Sequence, residues 1–299
     1  MLYLALLLAA DTGAHTFPLA ITPAESMQVT IAGTGQPVVL IPSLFGCASC
    51  YQRSISLLTR AGYRTIVIEA LGIGTGGHPE HADYSLTAQA ERIAATLDRL
   101  GVSQAILVAH TVGASMAYRL SYRRPDLVQG IVSLDGGPAE AAATPGFRRA
   151  LRLIPWLKWF GGVHMMRTRI RAELVRDSHD TSWVTDQIVS GFTAGPDHDL
   201  DAALKSYIAM GRSHETERLS AHLSQIHCPV LLLIGAAPHG GGIGHDELEL
   251  LSARVPRFAV DSVPNTGLYV YAEDPAAVLA AVRRIVAWPA LGSAATAGQ

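Results

Sequence analysis

Ala109-His110-Thr111-Val112-Gly113 follows directly on the apolar run Ala105-Ile106-Leu107-Val108. Such a continuous, β-branched run is typical of a strand that is covered on both faces of a sheet. The residues Ala109 and Gly113 are small enough for a tight turn, and residues 113–122 have the apolar spacing of a helix. These residues therefore predict a buried strand that turns sharply into a helix, with Thr111 at the turn.

The same alternation of short apolar runs and helical patterns extends over most of the chain. It predicts an α/β fold with a mostly parallel central sheet flanked by helices. The alternation breaks between residues 139 and 206, which we interpret as a helical cap inserted over one end of the sheet. The predicted strands are residues 37–41, 65–68, 105–108, 131–134, 230–234 and 257–260, and the predicted helices are residues 86–100, 113–122, 246–255 and 275–288.

Composition excludes several classes of protein. Apolar residues make up 49% of the 299 residues and charged residues 16%, which excludes a disordered chain. The 23 Lys and Arg nearly balance the 25 Asp and Glu, for a net charge of −2, so a nucleic-acid partner is not predicted. Three cysteines are too few for a disulfide framework.

Cys47 and Cys50 form a C-x-x-C pair, which is typical of redox or metal sites. A structural zinc site would need two further ligands, and the only distant candidates are His239 and His245 in a Gly-rich loop. We therefore predict no metal here and favour two small loop residues or one local disulfide. Cys228 leads into an apolar strand and is expected to be buried and inert.

Residues 2–10 are nine consecutive apolar residues, which is too short for a membrane span but fits the apolar region of a signal peptide. Small residues suited to cleavage follow at Thr12-Gly13-Ala14, although no Lys or Arg precedes the run. A first β-strand is the alternative. We predict a signal segment within residues 1–20, with a secreted or periplasmic location favoured over a cytoplasmic one, and a single domain over residues 21–299.

The run Gly72-Ile73-Gly74-Thr75-Gly76-Gly77 matches the spacing of a dinucleotide-binding fingerprint. That fingerprint requires a helix to begin within it, so that the pyrophosphate lies at the helix N-terminus. Here a Pro-containing segment follows, and helical periodicity begins only near Leu86. No cofactor is therefore predicted.

The order of these motifs resembles the α/β-hydrolase superfamily over about residues 27–288. The turn at Thr111 is similar to the family's nucleophile elbow. The segment from Glu69 to Gly76 is similar to its D-x-x-G-x-G-x-S loop, with Glu69 for the Asp and Gly76 for the Ser. The resemblance implies an oxyanion hole formed by the backbone N–H groups of Leu44 and Val112.

The resemblance also implies a Ser, an acid and a His as catalytic triad, yet the three positions hold Thr111, Pro238 and Leu268. The last His of the chain is His245, so none follows the final strand. We interpret the chain as a weakly active or inactive hydrolase that binds a small apolar molecule.

Two alternatives give the residues that follow the predicted strands a catalytic role. In the first, Thr111 hydrolyses an ester, an amide or a similar bond with a relocated base, His239 or His245, and Asp135 as the acid. In the second, a cofactor-free lyase or isomerase uses only the oxyanion hole and a loop His.

The segment 147–176 carries eight basic residues and one acidic residue, with Trp156 and Trp159 among them. We favour a pair of cap helices whose aromatic side chains line an apolar pocket, while arginine stems cover its edge. The less favoured interpretation is an amphipathic surface in peripheral contact with a membrane.

Overall fold

The computed structural model describes residues 13–44, 46–142, 148–149 and 162–289. These residues contain one eight-stranded sheet with the spatial order β1-β2-β4-β3-β5-β6-β7-β8. The pairs β1–β2 and β2–β4 are antiparallel, and the remaining pairs are parallel. The strands are β1 (His15–Ala20), β2 (Ser26–Ala32), β3 (Gln36–Ile41), β4 (Tyr63–Glu69), β5 (Ala105–His110), β6 (Val128–Leu134), β7 (Val230–Gly235) and β8 (Phe258–Val263).

All six strands expected from the sequence are present, and the α/β prediction is confirmed. Strands β1 and β2 are additional. They alternate exposed or half-buried residues with more buried ones, as expected for strands near an edge that is covered on one face only. Strand β1 begins at His15, directly after the Thr12-Gly13-Ala14 segment, and pairs with β2 over its whole length.

Helices cover both faces of the parallel part of the sheet. Their apolar sides form two buried clusters, one on each face, with Leu107 of β5 in one cluster and Val108 in the other. The helices are α1 (Gln52–Arg60), α2 (Leu86–Arg99), α3 (Val112–Arg123), α4 (Gly162–Arg176), α5 (Asp186–Phe192), α6 (Ala194–His198), α7 (Leu200–Arg212), α8 (His245–Arg254), α9 (Val270–Glu273) and α10 (Pro275–Val286).

Polar side chains fix where several of these helices begin. Ser85 accepts a hydrogen bond from the Ala88 N–H at the start of α2, and Asp274 accepts one from the Ala277 N–H at the start of α10. Pro275 is the first residue of α10, where a missing N–H costs no helical hydrogen bond.

The helical insertion expected between β6 and β7 is present as α4 to α7. The exact cap boundaries of 139 and 206 stay a prediction, and Trp156 and Trp159 lie outside the described residues. Four arginines of α4 are paired with carboxylates, Arg169 within the helix and the others beyond it. Within the described part of the chain, no helix has the length and apolar character needed to cross a bilayer.

Candidate active site

The turn between β5 and α3 has an unusual backbone at Thr111, with φ of 45° and ψ of −117°. A β-branched residue rarely adopts a positive φ, so this conformation is strained. The surrounding backbone maintains it. The Thr111 N–H donates to the Leu134 carbonyl at 2.9 Å, and the Thr111 carbonyl accepts from the Ala114 N–H at 3.0 Å.

Gly113 lets the loop after β3 lie close against the start of α3. A Cβ at this position would lie 2.8 Å from the Ile41 and Pro42 carbonyl oxygens, which is too close for any side chain. The N–H groups of Leu44 and Val112 donate no hydrogen bond to another described residue. The oxyanion hole expected from these two groups stays a prediction.

The side chain of Thr111 lies without a base or an acid bonded to it among the described residues. Its hydroxyl makes no hydrogen bond with any residue that the structure describes. Leu268 is buried and belongs to the same apolar cluster as Tyr269 and Trp183. A leucine cannot accept the proton of the Thr111 hydroxyl, and Pro238 is exposed and carries no acid.

His110 precedes Thr111 but points to the backbone of the next loop. Its Nε2 lies 3.1 Å from the Leu268 carbonyl oxygen, to which it donates a hydrogen bond. Burial lowers the pKa of His110 to about 4, so the ring is neutral at neutral pH. Its ring packs edge-on against Tyr271, with centroids 4.9 Å apart, which indicates a structural role.

Asp135 and His239 are brought together at the ends of β6 and β7. The two side chains are almost fully buried, and His239 Nε2 lies 3.4 Å from Asp135 Oδ1, within ion-pair distance but long for a hydrogen bond. The other carboxylate oxygen accepts a hydrogen bond from the Gly235 N–H at 3.0 Å. His239 Nδ1 lies 2.8 Å from the Ala237 carbonyl oxygen and donates to it.

Burial raises the pKa of Asp135 to about 6, although the Gly235 N–H and His239 act in the opposite direction. A Cβ at Gly242 would lie 2.9 Å from His239 Nε2 and 3.0 Å from Asp135 Oδ1. Only glycine can therefore cover this pair so closely. Both nitrogens of His239 face groups other than Thr111, so the pair does not serve the Thr111 hydroxyl in this arrangement.

His245, the second candidate base, lies away from the buried Asp135–His239 pair, and its catalytic role stays a prediction. It is the first residue of α8, its side chain is 81% exposed, and it pairs with Glu249 at 3.2 Å one helical turn later. The Gly-rich loop carries His239 to the sheet edge, whereas the start of α8 carries His245 outward into solvent.

Asp177 contacts the loops that carry His239 and Leu268, which the sequence did not indicate. Its carboxylate accepts from the Gly240 N–H at 3.1 Å, and its carbonyl accepts from the Leu268 N–H at 2.8 Å. Burial raises the pKa of Asp177, but the Arg176 guanidinium and the Gly240 N–H outweigh burial and lower it overall. Asp177 thus joins the end of α4 to the His239 loop and to the loop after β8.

Residues 36–159 match the family model described as the alpha/beta hydrolase fold. Among solved structures, an epoxide hydrolase (CorEH) superposes with a TM-score of 0.73 at 17% identity, over 92% of this chain and 99% of the other. The described chain therefore has the α/β-hydrolase fold, and residues 36–159, about two fifths of its length, match the family model.

Curated relatives within this superfamily include hydrolases. The sn-1-specific diacylglycerol lipase ABHD11 of Xenopus laevis is 28% identical over 114 residues, which are 38% of this chain and 36% of that protein. The mouse protein of the same name is 23% identical over 271 residues, covering 84% of this chain and 80% of the relative. The chain thus spans only about a third of the length of the relatives it matches first.

Glu69 stands where the loop that resembles the superfamily motif is expected to begin. This carboxyl is buried, and its Oε1 accepts a hydrogen bond from the Ala48 N–H at 2.8 Å. Burial raises the pKa of Glu69 to about 7, with the Ala48 N–H acting in the opposite direction. A Cβ at Gly74 would lie 2.0 Å from Glu69 Oε2, so only glycine fits beside the carboxyl.

Cys47 and Cys50 form a disulfide, as the favoured interpretation of the pair expected. The bond closes the segment that follows the oxyanion loop, and the short 3₁₀ turn Ala48–Tyr51 leads from it into α1. Tyr51 is fully buried against Tyr271, with ring centroids 4.0 Å apart. The disulfide therefore closes a four-residue turn directly before the buried Tyr51.

Proposed function

We propose that this chain is a weakly active or inactive α/β hydrolase that binds a small apolar molecule. One observation carries the proposal: Thr111, in the nucleophile position, has no base among the described residues. An alcohol without a base remains protonated at neutral pH, and loss of the base in a catalytic triad typically costs on the order of 10⁴-fold or more in rate.

The alternative is an active hydrolase in which His239 deprotonates Thr111. The burial of His239 beside Asp135 favours it, since a carboxylate beside an imidazole is part of the usual triad. Its Nε2, however, would have to turn from Asp135 to the Thr111 hydroxyl. The hydrogen bond from Nδ1 to the Ala237 carbonyl opposes such a change, and we therefore rank this alternative second.

Labelling with a fluorophosphonate probe tests both functions. We expect no labelling of the wild-type protein and clear labelling of Thr111→Ser/Leu268→His, in which a nucleophile and a base are both restored. Single Thr111→Ser is the matched control and should stay near the wild-type level, because it restores the alcohol without the imidazole.

Wild-type labelling that disappears in Thr111→Ala and in His239→Gln, but not in His245→Gln, would instead establish the alternative. The rate of p-nitrophenyl butyrate hydrolysis compares the same variants by their activity. Ligand binding is measured separately, by equilibrium dialysis with the non-hydrolysable 4-nitrophenyl butyl ether. Failure of this ether and similar apolar compounds to bind would remove the ligand-binding part of the proposal.

A further inference from the structure

A groove of about 540 Å³ lies away from Thr111, between α1, the 3₁₀ turn at the disulfide and the segment before α5. None of the triad positions lines it. Its wall combines hydroxyl, amide and guanidinium side chains with a larger apolar part, formed by Leu57, Trp183, Ile188, Ala272 and Pro275. The polar and sulfur-bearing members are Ser49, Cys50, Gln52, Arg53, Ser56, Arg60, Ser182, Thr185 and Gln187.

The two sulfurs of the disulfide differ in their surroundings. Both cysteines are 3% exposed, but only Cys50 lies in the wall of the groove. Cys47 Sγ is covered by α5, where a Cβ at Gly191 would lie only 2.8 Å from it, and the Ile188 carbonyl oxygen is 4.0 Å away. An incoming group in the groove therefore reaches Cys50 first.

Cys47 is placed to leave as a thiolate. The Ser49 hydroxyl donates a hydrogen bond to Cys47 Sγ at 3.3 Å. A donor to sulfur stabilises the thiolate, and a more stable thiolate is a better leaving group in disulfide exchange. Disulfide exchange needs one sulfur that can be attacked and one that can leave. Cys50, in the wall of the groove, fits the first role, and Cys47, with its Ser49 donor, fits the second.

The groove also favours an anionic partner. Arg53 and Arg60 lie in its wall, and no acidic side chain is among the residues that line it. Arg53 is fixed by hydrogen bonds to the Ala272 carbonyl and the Ser182 hydroxyl, with Asp180 3.6 Å away. Arg60, the last residue of α1, is exposed and provides positive charge to a ligand in the groove.

We propose that Cys47–Cys50 is a thiol–disulfide exchange site that takes a thiol carried on a short anionic peptide, with Cys50 as the sulfur that is attacked. The partner thiolate bonds to Cys50 Sγ, the bond between Cys47 and Cys50 breaks, and Cys47 leaves as a thiolate that takes a proton. A second partner thiolate then attacks the partner sulfur of the mixed disulfide and releases Cys50. The partner thiols lose two electrons, which reduce Cys47 and Cys50.

Glutathione is the smallest thiol of this class and serves as the probe. In the folded Cys47→Ser protein, we expect oxidised glutathione to modify Cys50 about tenfold faster than it modifies Cys47 in Cys50→Ser, because access differs. Cys228 is an internal control, since burial raises its pKa to about 12 and keeps it a thiol. Alkylation and peptide mass spectrometry identify each site, and circular dichroism confirms that both variants are folded.

The wild-type disulfide should be reduced by glutathione in the folded protein, at a rate that increases in proportion to the thiol concentration. A rate that is limited by global unfolding, or equal modification of Cys47 and Cys50, would overturn the proposal.

The anionic preference is tested with Arg60→Gln. This change should slow the glutathione reaction about threefold at low salt, through loss of charge attraction, and leave the reaction of neutral 2-mercaptoethanol unchanged. The control is Arg254→Gln, an exposed arginine at the end of α8. Equal slowing of both thiols would refute the anionic preference. A cysteine-containing acidic peptide that reacts faster than glutathione would identify a protein segment as the source of the thiol.

Discussion

The ends of β5 and β6 are neighbours in the sheet and share one backbone feature, but their side chains differ. Thr111 and Asp135 both have a positive φ, of 45° and 48°. The Thr111 hydroxyl has no partner among the described residues, whereas the Asp135 carboxylate is bonded to the Gly235 N–H and faces His239. The turn at Thr111 thus has a strained backbone, but its side chain makes no hydrogen bond with a described residue that would compensate for the strain. The buried polar pair at this edge of the sheet, Asp135 and His239, lies at the ends of β6 and β7 instead.

The two turns touch at Gly136, and this contact provides the largest predicted effect. A Cβ there would lie 2.4 Å from Ala114 Cβ and 2.6 Å from the Thr111 carbonyl oxygen. Gly136→Ala should therefore lower the free energy of unfolding by more than about 3 kcal/mol, since backbone on both sides must move. Urea denaturation measures the loss.

The control for that change is Gly244→Ala, where the nearest atom to a new Cβ is Glu247 Oε2 at 3.6 Å. It should cost less than about 1 kcal/mol. Equal losses in the two variants would show that the turns after β5 and β6 are not packed against each other as described.

The next largest predicted effect is a pH dependence of the free energy of unfolding, because folding buries two carboxyl groups and raises their pKa. Glu69 rises from 4.5 to about 7, so the folded state holds this proton more tightly than the unfolded state does. The contribution of Glu69 to the free energy of unfolding therefore falls as the pH rises from about 4.5 to 7, by an amount on the order of 2 kcal/mol. Asp135 acts in the same direction between 3.8 and about 6. His110, whose pKa burial lowers from 6.5 to about 4, acts in the opposite direction between those two values.

Glu69→Gln should remove most of the upper part of this pH dependence, since the amide oxygen still accepts from the Ala48 N–H and carries no charge. Asp135→Asn should flatten only the lower part. Thermal unfolding between pH 4 and 8 distinguishes the two. A Glu69→Gln profile with the same slope as the wild type between pH 5 and 7 would contradict the raised pKa of Glu69.

The parallel strands were predictable because each is a short apolar run between turn residues. Strand β2 was not, since its Ser, Gln and Thr residues interrupt the apolar pattern of a half-covered strand. At the site, the sequence predicted that Asp135 and His239 follow adjacent strands. It could not predict that His239 Nδ1 bonds to Ala237, nor that the end of a distant helix brings Asp177 to the same loop, because both depend on loop geometry.

The smallest predicted effect comes from replacing Thr111 or Asp135 by glycine, which separates the cost of the positive φ from the benefit of side-chain contacts. Glycine accepts a positive φ without steric cost, so Thr111→Gly should raise the free energy of unfolding by about 1 kcal/mol. Asp135→Gly relieves the same kind of strain but loses the bond to Gly235 and leaves His239 without its carboxylate, and should cost about 1–2 kcal/mol net. Urea denaturation at pH 7 measures both. If Thr111→Gly destabilises the protein as much as Asp135→Gly does, the Thr111 side chain makes a stabilising contact, and the contrast between the two strand ends is wrong.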